Sequence, residues 1–109
     1  MSYTTPEKKV QNAIIKWLEP LDHKHAGLLY WKRRDAIGAN YEKGIPDLFV
    51  VIGPFHLEIE CKAPGESLSS MQEKWKMIFC SMGTPYLVAD SLEEFISFIT
   101  PYLEANKKS

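Results

Sequence analysis

Apolar residues recur along this 109-residue chain with two different periods, and the changes of period mark out its elements. Val10, Ile14, Trp17 and Leu18 follow helical spacing; Thr5-Pro6 opens that helix and Pro20 ends it. Leu28 to Arg33 reads as a strand, and Arg34 to Gly44 as a loop. Asp47 to Ile52 is a nearly all-apolar run, as expected of a strand buried on both faces. After a Gly53-Pro54 turn, His56 to Lys62 alternates. Leu57, Ile59 and Cys61 face one way, and Glu58, Glu60 and Lys62 the other. Pro64-Gly65 stops this strand. Ser69-x-x-Gln72 is a capping box for a helix running to Gly83, and Pro85 to Ala89 makes a fourth strand. Ser91-x-x-Glu94 caps a last helix carrying Phe95, Ile96, Phe98, Ile99, Tyr102 and Leu103. The order α-β-β-β-α-β-α predicts an α/β fold, a mixed central sheet flanked by helices. The helix between the third and fourth strands permits a parallel crossover. Trp17, Trp75, Phe95 and Phe98 fall at helical core spacing.

Composition changes this picture little. The length predicts one domain over residues 1–109, and 45% apolar with 25% charged residues is ordinary for a soluble protein. The longest apolar run, Leu48 to Ile52, is far short of the ~20 residues a membrane span needs. The first residues lack the pattern of a secretory signal, and Cys61 and Cys80 lack zinc-type spacing. The expectation is a cytoplasmic protein with reduced thiols and no membrane partner. The net charge of -1 by itself argues against a nucleic-acid binder. Residues 1–46 hold 8 Lys/Arg against 5 Asp/Glu and residues 47–109 hold 5 against 9, a basic first half that suits a basic rim around an acidic site but carries little weight alone.

The chemistry concentrates in Gly44-Ile45-Pro46-Asp47 and, thirteen residues after Asp47, in Glu60-Cys61-Lys62. Two adjacent strands would bring the carboxylates of Asp47 and Glu60 together, where mutual repulsion raises one pKa unless a cation compensates. Mg²⁺ prefers such oxygen ligands, and Lys62, on the same strand face as Glu60, could orient a water or neutralise phosphate charge. Taken alone, Glu58, Glu60 and Lys62 also suit the wet face of a half-buried strand, with Asp47 a turn residue. Pro46 holds Ile45 extended and sets the direction in which Asp47 enters the sheet. Glu7 shares the apolar face of the first helix with Ile14, and Thr4-x-x-Glu7 is equally a capping box. Glu58 is expected to meet solvent, and His23 and His25 to be solvated loop histidines. Tyr30, Trp31 and Tyr41 flank the basic stretch and could stack on unpaired bases, although Trp31 reads better as structural.

Gly44-Ile45-Pro46-Asp47, Glu60-Cys61-Lys62-Ala63-Pro64, then Leu68-Ser69 and Gln72 with Trp75 resemble the virus-type replication-repair nuclease domain, VRR-NUC. This family belongs to the PD-(D/E)xK nuclease superfamily. The resemblance runs from Glu7 to about Phe98 and implies a restriction-endonuclease-like fold. It implies that Asp47, Glu60, Glu7 and the Cys61 backbone carbonyl hold Mg²⁺, with Mn²⁺ able to substitute, and that Lys62 is the catalytic lysine. Gln72 would bond near that lysine or a substrate phosphate. Lys32, Arg33, Arg34, Lys43 and Tyr41 become the expected DNA contacts. The implied activity is metal-dependent, structure-selective hydrolysis of DNA, with no small-molecule cofactor. Minimal members resemble Holliday-junction resolvases acting as homodimers on four-way junctions, in a phage or prophage setting within a bacterial host. A flap or nicking nuclease and a catalytically silent DNA-binding module are the rival expectations.

Overall fold

The structure, a computed structural model, describes residues 4–21, 27–33 and 43–107. Helix α1 (Pro6–Leu18) starts at N-cap Thr5, whose hydroxyl accepts the Lys8 N–H at 3.1 Å. Pro6 takes the first helical position, where no N–H is needed. The cap is Thr5 and not Thr4, so the Thr4-x-x-Glu7 box is not formed and Glu7 is released from a capping role.

Strands β1 (Leu28–Lys32), β2 (Leu48–Ile52), β3 (Phe55–Cys61) and β4 (Tyr86–Ala89) form one sheet in the order β1-β2-β3-β4. β1 and β2 are antiparallel, as are β2 and β3, while β3 and β4 run parallel. The β2–β3 connection is the two-residue turn Gly53-Pro54, with Gly53 at φ +54, a value that costs glycine little. The parallel step passes through α2 (Ser70–Ser81), and α3 (Leu92–Lys107) closes the chain's described part. The element order and the parallel crossover agree with the sequence-based expectation.

Strand alternation assigns Leu28, Leu48, Val50, Ile52, Leu57, Ile59, Cys61 and Ala89 to the core with Ile14 and Leu18 of α1 and Phe95 and Ile99 of α3. α1 and α3 therefore cover one sheet face. β2 departs from expectation: its burial alternates, with Phe49 and Val51 only half-buried. The physical reason is that α2 contacts the sheet chiefly at β4, so the other face of β2 lacks a full helix layer. α2 contains no fully buried residue, and Trp75 is half-buried outside the core cluster, contrary to its core assignment. Its indole N–H instead donates to the Lys43 carbonyl at 3.0 Å. Trp31, expected to be structural, is 64% exposed on β1.

This division of labour predicts where truncation hurts. Phe95 is fully buried and meets Trp17 edge-on at 5.9 Å. Phe95→Ala should cost about 3–5 kcal/mol in urea unfolding. Met77→Ala, at a 70% exposed site, should change stability by no more than about 0.5 kcal/mol.

Candidate metal centre

The Gly44-Ile45-Pro46-Asp47 turn delivers Asp47 to one end of the sheet. Gly44 has φ +84, and a Cβ there would lie 2.6 Å from the Met71 backbone of α2. Only glycine lets this turn press against the start of α2. Asp47 is 3% exposed, and its Oδ2 accepts the Cys61 backbone N–H at 3.0 Å. This bond ties the entry of β2 to the last residue of β3. In extended backbone one residue's N–H and C=O point to the same strand edge, so the Cys61 carbonyl also faces Asp47. The Cys61 side chain is fully buried in the core, and burial, with Asp47, Glu60 and Glu7 nearby, pushes its thiol pKa up. It is not a nucleophile in waiting.

Glu60 projects from β3 on the face opposite the core and is 1% exposed. Oxygen atoms of Glu7, Asp47 and Glu60 all lie within 4.8 Å of one another. The expected acidic partners thus converge from α1, the β2 entry and β3. Burial first, then the charge of Asp47, a hydrogen bond with Asp47 and the charge of Glu7 push the Glu60 carboxyl up to about 9. Lys62, itself buried at 8% exposure, opposes this rise.

Gln72 fixes the other side of Glu60. Its Oε1 accepts the Ser69 N–H at 2.8 Å while its own N–H donates to Ser69 Oγ at 3.2 Å, completing the capping box. The amide oxygen is thereby occupied, and Nε2 donates to Glu60 Oε2 at 3.3 Å. One residue caps α2 and orients a carboxylate. Glu60 Oε1 remains buried without a hydrogen-bond partner, as does the hydroxyl of Tyr86. Burial, with Glu60 and Asp47 next in importance, raises the Tyr86 phenol. Tyr86 went unnoticed in the sequence because strand alternation gives no sign that its hydroxyl lies where these charges act.

These residues fit a hard divalent cation. The donors are all oxygens, one buried carboxylate oxygen is orphaned, and the repulsion that raises Glu60 is what a cation would relieve. A cleft of about 400 Å³ lined by Lys43, Gly44, Ile45, Ser69, Ser70, Met71 and Gln72 is linked to this cluster through Gln72, which bonds Glu60.

The family model of the VRR-NUC domain matches residues 2–93. The chain belongs to the VRR-NUC family. A solved structure described as a VRR_NUC domain protein is similar in fold, with a TM-score of 0.69 at 23% identity, over 95% of this chain and 91% of that one. No curated protein sequence matches the chain. Membership in VRR-NUC gives the chain a nuclease-type function with DNA as the substrate class.

The other expected residues of this VRR-NUC chain fare unevenly. Lys43 is exposed at the cleft, and Lys32 alternates onto the sheet face opposite Trp31. Arg34, Tyr41, His23 and His25 lie outside the described residues. Glu58 is a correction: it is fully buried and does not meet solvent. Arg33 Nη1 and Nη2 donate to its two carboxylate oxygens at 2.6 and 2.7 Å. His56 Nε2 lies 2.6 Å from Glu58 Oε2, within hydrogen-bond distance. Arg33, expected to reach DNA phosphate, spends its guanidinium inside the protein, over the Phe49 ring at 4.8 Å. The pairing spans 25 residues of chain, and no local spacing signals it.

The raised Glu60 pKa predicts a pH dependence. Without cation, folded Glu60 keeps its proton up to about pH 9, while the unfolded chain releases it near 4.5. The folded state binds more protons across that window, so this contribution is complete below it and lost as pH rises through it. In chelator, wild-type stability should fall between about pH 5.5 and about pH 8.5, with a slope approaching about 1.4 kcal/mol per unit. Glu60→Gln should flatten that slope in urea titrations. A wild-type slope no steeper than that of Glu60→Gln would contradict the assignment.

Proposed function

We propose that this protein is a metal-dependent, structure-selective DNA endonuclease, a Holliday-junction resolvase acting as a homodimer. The observation that carries the reading is the convergence of Glu7, Asp47 and Glu60 within 4.8 Å, with the buried Lys62 two residues beyond Glu60. Glu7, Asp47, Glu60 and the Cys61 carbonyl would hold Mg²⁺, or Mn²⁺ in its place. When bound, such a cation lowers the pKa of its water and polarises the scissile phosphate.

The chain's own residues do the rest. Lys62 brings a positive charge to where negative charge builds on the phosphate. Gln72 keeps Glu60 Oε2 engaged, and the buried Oε1, which accepts no hydrogen bond, would be offered to the cation. The Asp47–Cys61 bond fixes the Asp47 carboxylate against the end of β3, where it would face the cation. The cleft beside Gln72, with Lys43 on its rim, admits the sugar-phosphate backbone, and the helix start there favours an anion. Lys32, Lys43, Arg34 and Tyr41 form the proposed substrate-contacting set, from which Glu58 withdraws Arg33.

Symmetry supports the junction reading. Among the described residues each chain brings one acidic cluster, and a two-fold dimer would present two to two symmetric strands. The test compares a mobile four-way junction, a 5′ flap and linear duplex in Mg²⁺, Mn²⁺ and chelator, with nicks mapped. Symmetric nicks on opposing strands of the junction are expected, and none in chelator. Glu60→Gln and Lys62→Ala should each lower cleavage by at least about a hundredfold while junction binding survives. Preference for the flap would replace the junction reading; undiminished cutting by both variants would remove the site assignment.

A further inference from the structure

Arg33 holds the Pro46-Asp47 segment from two directions. Its backbone N–H donates to the Asp47 carbonyl at 2.9 Å, and Nη1 donates to the Pro46 carbonyl at 3.0 Å. These two carbonyls flank the Asp47 backbone. The same guanidinium is fixed by both oxygens of Glu58 and rests on Phe49, which pairs across the strands with Glu58. Phe49 in turn stacks on His56 at 5.0 Å, and His56 contacts Glu58. The result is a closed assembly that reaches the acidic cluster through the backbone on either side of Asp47. Glu58 takes no part in that cluster. Paired with Arg33, it adds no uncompensated charge two residues from Glu60.

We infer that the Arg33–Glu58 pair positions Asp47 and thereby sets the affinity of the Glu7–Asp47–Glu60 centre for a divalent cation; this rests on the metal reading above. Arg33 acts through Asp47 and is a positioning residue. Its task needs a planar fork, since two donors meet the carboxylate while Nη1 also reaches a carbonyl. A lysine ammonium keeps the charge without that geometry. A phosphate contact, by contrast, is a task that lysine performs as a point charge.

Arg33→Lys therefore separates the two roles. Mn²⁺ binding to the full chain is measured by electron paramagnetic resonance, alongside four-way-junction binding in chelator and thermal unfolding. Arg33→Lys and Glu58→Gln should each weaken Mn²⁺ binding by about tenfold or more, at a temperature where both are folded. Junction binding in chelator by Arg33→Lys should match wild type. If the single variants do not fold, the apolar pair Arg33→Met with Glu58→Leu removes both charges together. It should fold and still bind Mn²⁺ weakly, because the Pro46 carbonyl has lost its donor. Wild-type Mn²⁺ affinity in Arg33→Lys or in the apolar pair would overturn the inference. So would loss of junction binding in Arg33→Lys with Mn²⁺ affinity intact, which would make Arg33 a phosphate contact. A wild-type chain that does not bind Mn²⁺ overturns the metal reading, and this inference with it.

Discussion

Oxygens of Glu7, Asp47 and Glu60 stand within 4.8 Å of one another at a sheet end where Asp47 and Glu60 are almost wholly shielded from water. Three carboxylates cannot all be ionised there without compensation, because burial and mutual repulsion both favour protonation. Much of the surrounding structure answers to that constraint. The Cys61 N–H occupies one Asp47 oxygen, the Gln72 amide occupies one Glu60 oxygen, and Lys62 supplies the nearby positive charge. The orphaned Glu60 Oε1 is what these local donors leave unmatched.

The same constraint explains an otherwise odd architecture. α2 buries none of its residues completely, so core packing cannot be what fixes it. Its placement comes from the Gln72–Glu60 and Trp75–Lys43 hydrogen bonds and the close approach that Gly44 permits. Stacking of Phe79 on Tyr86 secures the helix to β4. Each of these contacts leads back to the turn that carries Asp47 or to the strands beside Glu60. The helix is held by the site as much as the site is held by the helix.

Much of this was legible from local pattern. Period-two alternation sorted Cys61 from Glu60 and Lys62, Pro and Gly punctuated the strands, and Ser69-x-x-Gln72 marked the start of α2. Gly-x-Pro-Asp with Glu-x-Lys pointed to the acidic pair Asp47 and Glu60, and Glu7, given a metal role by the family resemblance, lies beside them. Alternation also placed Glu58 correctly on the Glu60 face but could not say what covered it. That depended on Arg33, two strands away in the sheet and 25 residues away in sequence. Helical spacing misled for Trp75 because it reports amphipathicity and not which face a helix turns to the core. The apolar run of β2 misled similarly, since Phe49 and Val51 lie on a face that α2 does not fully cover.

The most direct test of the proposed cation centre counts protons. At pH 7 without cation, Glu60 holds its proton, and a divalent ion binding at the cluster must displace it. Titration calorimetry with Mg²⁺ or Mn²⁺, in buffers of different ionisation enthalpy, gives the number released per ion bound. The account predicts about one proton for the first ion in the wild-type chain, and none in Glu60→Gln. Saturable binding without proton release, or binding unaltered by Glu60→Gln, would contradict it.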